Sequence, residues 1–111
     1  MNLVCGAAGK NYYAGMLHDA QGQLDRLSAQ RAQLAMAGAR LAQNATQQQY
    51  GSNNPQYERQ KSYLEWQDKI IEQKIKSLET YVALLKEMQK AHETLCQEAA
   101  KDFAPKFTAS G

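Results

Sequence analysis

The chain has 111 residues, room for one domain, and its 13 basic and 11 acidic side chains leave a formal charge of only +2. The apolar fraction of 43% leans heavily on Ala, aromatics stand at 8% and mean hydropathy is −0.66, so composition excludes a thick, many-layered core. The balanced charge excludes a nucleic-acid binder that works by bulk electrostatics, and two prolines with seven glycines are too few breakers for a sandwich or barrel.

The first ten residues, Met1 to Lys10, are too short and too interrupted by glycine for a signal-peptide core, and no positive residue precedes the apolar stretch. Leu3-Val4-Cys5-Gly6 has the form of the end of a lipobox, but no apolar run of adequate length stands before it. No stretch approaches the roughly 20 apolar residues of a membrane span. The expectation is a chain with no membrane span, cytoplasmic or exported without a cleaved signal, with residues 1–10 as a flexible segment.

From about residue 11 to residue 50 the large residues recur at helical spacing. Tyr13, Leu17, Ala20, Leu24, Leu27, Leu34 and Leu41 follow the a/d pattern of a coiled coil or a long amphipathic helix, with Arg31, Gly38 and Ala45 at the remaining a positions. Small residues line the neighbouring row at Ser28, Ala35 and Ala42. Together with Gly38 they predict a surface where a partner helix approaches closely, which makes Ala35, Gly38 and Ala42 interface candidates. Between Ala32 and Tyr50 the only charged side chain is Arg40, fewer charges than a fully solvated helix carries.

Residues 51–54 form the break. Gly51 suits the left-handed residue that ends a helix, and Asn54 before Pro55 suits an N-cap followed by a first-turn proline. A stop signal next to a start signal predicts a tight helix-to-helix turn.

A second helix is predicted over residues 55–103. Its stripe reads Leu64, Ile71, Ile75, Leu78, Val82, Leu85, Met88, Leu95 and Phe103, with His92 and Ala99 in line. Glu65 with Lys69 and Glu72 with Lys76 stand four apart on the solvated side, each such pair contributing about 0.2–0.5 kcal/mol. Ile70, Tyr81 and Leu84 flank the stripe and are candidates for contact with another chain. Residues 104–111, which include Pro105, read as a frayed tail.

The two cysteines follow from the hairpin register. Positions opposed across a turn near residue 51 sum to about 101 or 102, and Cys5 and Cys96 sum to 101, so a disulfide could close the chain ends; two reduced thiols are the alternative. His92 and Cys96 lie one helical turn apart and could share a metal with Cys5. Zinc usually takes four such groups, and with no Cys-x-x-Cys and no second histidine in register the expectation is no metal and no cofactor. There is no Gly-rich phosphate loop between a strand and a helix and no Ser-His-Asp arrangement with a scaffold to hold it, so an enzyme is not expected. Tyr50, Tyr57, Tyr63 and Trp66 gather around the turn, either as a plug or as a contact surface, since Tyr and Trp are enriched at interfaces. Phe103 and Phe107, close to the end, form an end cap or a short docking motif.

A short chain of two helices joined by Ser52-Asn53-Asn54-Pro55 resembles the needle subunits of type III secretion systems, helical hairpins with a Pro-x-Asp/Asn-Pro turn that stack into hollow filaments. The present turn carries the second half of that motif, and both helices are longer. The secreted WXG100 class is similar in size and form but places Trp-x-Gly in the turn, where this chain has Trp66-Gln67-Asp68 inside helix two. The fold class expected is all-α, an antiparallel hairpin spanning residues 11–103. The function expected is a non-enzymatic structural or assembly subunit whose partner is itself. The alternative is a coiled-coil adaptor or secretion chaperone that binds another helical protein, and no nucleic-acid partner is expected.

Overall fold

The structure, a computed structural model, describes residues 5–47 and 54–110, with side chains through Asp102. It is an all-α hairpin of two long helices packed against each other, α1 (Ala7–Gln47) and α2 (Pro55–Ser110), with no strand among the described residues. No described helix is long and apolar enough to cross a membrane.

α1 begins four residues earlier than its periodicity implies, within the segment expected to be flexible. Gly6 holds a φ of +85°, a left-handed conformation that costs glycine little, and its carbonyl accepts the first helical bond from the Lys10 N–H at 3.1 Å. Ala7 and Ala8 then extend the helix because Ala has the highest intrinsic propensity. Gly51 and the neighbouring turn positions lie outside the described residues. Asn54 and Pro55 open α2: the Gln56 N–H donates to Asn54 Oδ1 at 2.9 Å, and the Glu58 N–H donates to the Asn54 carbonyl at 3.1 Å. An N-cap of this kind is worth about 1 kcal/mol, and Glu58 adds a favourable charge in the first turn. The backbone of α2 continues through Pro105 to Ser110 rather than fraying after residue 103. The side chains of Phe103 and Phe107 lie outside the described ones.

The chain divides into two compact units. The terminal unit joins residues 1–21 to residues 80–111, and the central unit comprises residues 22–79. In the terminal unit Gly9, Ala20 and Leu85 are buried, and Tyr13, Leu17, Val82, Gln89, His92, Cys96 and Ala99 are half-buried. Leu85, at 1% exposure, is the only large side chain of the described chain that is fully enclosed. Two expected stripe residues are displaced: Met88 is 44% exposed and Leu95 48%, and Gln89 and Cys96 take the inward positions instead. Steps of four and three from Leu85 lead to Gln89, His92, Cys96 and Ala99, so the seam keeps its heptad phase even where that phase selects a polar side chain over an apolar neighbour.

The central unit has a thinner seam. Leu24, Leu27, Leu34 and Leu41 on α1 and Leu64, Ile71, Ile75 and Leu78 on α2 are half-buried, and Ala45 is buried. Arg31 falls in the same row and is held by α2: Nε donates to Asp68 Oδ1 at 2.8 Å, Nη2 to Asp68 Oδ2 at 3.2 Å, and Nη2 lies 3.6 Å from Glu72 Oε2. Glu72 in turn pairs with Lys76 at 3.2 Å. The hydrogen bond and charge of Asp68 raise the Arg31 guanidinium above its ordinary pKa, so it stays cationic at every accessible pH. The planar, bidentate fork fixes one alignment of α1 against α2 at a heptad position where an aliphatic side chain tolerates several.

Leu85→Ala should cost about 2–5 kcal/mol, because it empties the one fully enclosed large site. Chemical denaturation followed by circular dichroism measures it; a cost under 0.5 kcal/mol means that the site collapses or was never tightly packed.

Candidate interaction surface and thiol cluster

A chain with only one seam leaves much of its apolar surface outside it. In the terminal unit Tyr81, Leu84, Met88, Ala91 and Leu95 are all exposed, Leu84 by 52%. Their spacing is three, four, three and four, so they form a second heptad stripe, shifted one residue from the one facing α1. Tyr81 and Leu84 flank the seam as expected, and Met88 and Leu95, expected within the seam, stand beside them instead, so the flank is a continuous stripe. Tyr12 is exposed in the same unit and meets Tyr13 edge-on at 5.3 Å.

In the central unit the aromatic group predicted around the turn divides. Tyr50 lies outside the described residues. Tyr57 is half-buried and lines a groove of about 580 Å³ with Ala35, Gly38, Ala42 and the carboxylates of Glu65, Asp68 and Glu72. The small residues thus border open space instead of a closely packed α2, and a Cβ added at Gly38 meets no atom within 4 Å. The close approach expected at Ala35, Gly38 and Ala42 does not occur inside the chain.

Tyr63 and Trp66 stand on the other flank of the seam, both more than half exposed, with ring centroids 6.2 Å apart and the Gln67 amide donating to the Tyr63 hydroxyl at 2.8 Å. Three adjoining grooves run along this flank, the largest about 690 Å³, and Ile70 lines two of them. Their walls carry Arg26, Arg40, Arg59 and Lys74 and not one carboxylate. The opposite groove is mixed, with Glu65, Asp68 and Glu72 beside Lys61 and Lys69, and Glu58 stands next to Arg59 at the Tyr63–Trp66 end of the basic flank.

The thiol cluster belongs to the terminal unit. Cys5 and Cys96 are joined in a disulfide with Cα atoms 5.8 Å apart, as the register sum of 101 allows. His92 lies beside it, Nε2 3.7 Å and Nδ1 4.0 Å from Cys96 Sγ, and its ring tilts against Tyr13 at a centroid distance of 5.5 Å. The i, i+4 spacing on α2 points His92 and Cys96 to one side, and the segment preceding α1 brings Cys5 to meet them. Among described residues this is the one place where three metal-ligating side chains converge.

Gly38→Ala should stabilise the chain by about 0.5–1 kcal/mol, since the new methyl meets open space and Ala gains helix propensity over Gly. A destabilising result in equilibrium denaturation contradicts the groove. Cys96→Ser should lower stability by about 2–5 kcal/mol, because the bond joins positions 91 residues apart and removes a large loop entropy from the unfolded chain. Unfolding midpoints with and without reductant, in wild type and variant, give that value.

Compared with known proteins, the chain matches no family model, no curated sequence and no solved structure.

Proposed function

We propose that the chain is a non-enzymatic assembly subunit that works by burying its second apolar stripe against copies of itself. The observation that carries this reading is the exposed heptad row Tyr81, Leu84, Met88, Ala91 and Leu95. Such a row is an a/d seam in search of a partner helix, and the same helix of another copy supplies a matching row by symmetry. A two-helix seam buries little area per residue, so association supplies stability that one copy lacks. A filament or secretion-apparatus component, the role that the needle-like layout implies, is one form such a subunit takes. The Cys5–Cys96 disulfide supports residence in an oxidising compartment, in keeping with export without a cleaved signal.

A second reading, an adaptor that receives a helix from another protein, is favoured by a different observation: the grooves of the central unit that carry Arg26, Arg40, Arg59 and Lys74 and border Tyr63 and Trp66. An apolar floor between basic rims matches an amphipathic helix with acidic flanks, which would complete a three-helix bundle.

Sedimentation equilibrium separates the two. Self-assembly predicts a weight-average mass that rises with concentration and a melting temperature that rises with it. Leu84→Glu should abolish that rise while leaving the helical dichroism of the dilute protein unchanged. A wild-type chain that stays monomeric across the micromolar range, with a concentration-independent melt, overturns self-assembly and leaves the adaptor reading.

A further inference from the structure

The disulfide with its neighbouring imidazole has a second use that does not depend on assembly. Cys5 Sγ, Cys96 Sγ and a ring nitrogen of His92 lie within 4.8 Å of one another. Around a tetrahedral zinc ion, with Zn–S near 2.3 Å and Zn–N near 2.05 Å, a sulfur and a nitrogen sit about 3.6 Å apart and two sulfurs about 3.75 Å. The Cys96 Sγ to His92 Nε2 distance of 3.7 Å already has that value. The two sulfurs, which any disulfide holds about 2 Å apart, have to separate by less than 2 Å. Cys5 is exposed and stands two residues before α1, with Gly6 between, so the backbone there has the freedom to allow the movement. Tyr13 packs on the His92 ring and limits its rotation.

We propose that the reduced form of the terminal unit binds one Zn²⁺ through Cys5, Cys96 and His92, with water in the fourth position. A dithiol reductant opens the bond: its two electrons and two protons pass to Cys5 and Cys96, and the reductant leaves as a disulfide. Zinc then displaces both thiol protons to solvent, forms two Zn–S bonds and one Zn–N bond to neutral His92, and the two thiolates cancel the charge of the ion. Two thiolates and an imidazole form a soft donor set that suits zinc over magnesium or calcium. The same two segments are therefore tied by a covalent bond in oxidising surroundings and by a metal in reducing ones. Oxidation back to the disulfide consumes both thiolate ligands and releases the ion.

The test uses the full chain, reduced with a dithiol, freed of reductant without air and titrated with Zn²⁺ against a chromophoric chelator. Co²⁺ serves as the spectroscopic stand-in. The reduced protein should take up one equivalent of zinc, and its Co²⁺ form should show thiolate-to-metal charge transfer with the intense visible bands of a tetrahedral site. The oxidised protein should take up none. His92→Phe, which keeps the disulfide and an aromatic ring against Tyr13, should bind at least tenfold more weakly once reduced, as should Cys5→Ser. Binding by reduced wild type that is no tighter than that of Cys5→Ser overturns the proposal, and so does unchanged affinity in His92→Phe. Helical dichroism recorded alongside guards against an unfolded end: helicity lost on reduction and not restored by zinc also overturns it.

Discussion

A pair of helices has only one seam, and nearly every feature of this protein follows from that constraint. Each helix buries a single stripe, so enclosure falls mostly on small residues: among the described residues Gly9, Ala20 and Ala45 are buried, and Leu85 is the one large side chain that joins them. Larger seam residues keep part of their surface in water. The chain answers a narrow core with specific ties. In the central unit the tie is the fork from Arg31 to Asp68, extended to Glu72 and Lys76. In the terminal unit it is the Cys5–Cys96 bond. The first selects an alignment more than it adds stability, because both partners are partly hydrated; the second acts mainly on the unfolded chain by shrinking its ensemble.

The same constraint creates surface. Apolar residues beyond the seam's capacity stay outside it, and on α2 they are ordered in a second heptad row instead of being scattered. Scattered exposed apolar residues are ordinary in any protein. A periodic row is different, since it presents a whole helix face that another helix can meet knob into hole. Charge is ordered as well. In the central unit Arg26, Arg40, Arg59 and Lys74 line grooves on one flank of the seam, and Glu65, Asp68 and Glu72 line the groove on the other. Lys61 and Lys69 share the second groove with those acids, so the contrast is a cationic flank against a mixed one, and such a contrast governs partner choice and orientation more than overall affinity.

Much of the architecture is legible in the sequence because its determinants are local. Periodicity of apolar residues is written into each helix separately, Asn54 and Pro55 carry the start of α2 in their own chemistry, and a hairpin fixes which positions oppose each other, so that Cys5 and Cys96 could be paired by counting. The helix ends were less legible. Ala7 and Ala8 carry no periodic signal, and a proline at 105 reads as a stop although the backbone stays helical past it. The Arg31–Asp68 pair was within reach of the same counting, since these positions sum to 99, but an arginine in an apolar row reads as a defect until its acid is seen.

The class of the fold, two helices with one facing stripe each, is thus written in the chain's own periodicity, as is the register that places Cys5 opposite Cys96, whereas the bond between them is seen only in the folded structure. The phase of the seam is set by the contact between the two helices. Met88 and Gln89, or Leu95 and Cys96, are neighbours about 100° apart on the helix, and composition favours the larger apolar member of each pair as the buried one. The position of α1 selects the other member, because the seam must keep its alternation of three and four from Leu85 onward. That shift of one residue turns Met88 and Leu95 outward into the second stripe and carries Cys96 and His92 inward to Cys5. It is a property of two helices meeting, and no single helix encodes it.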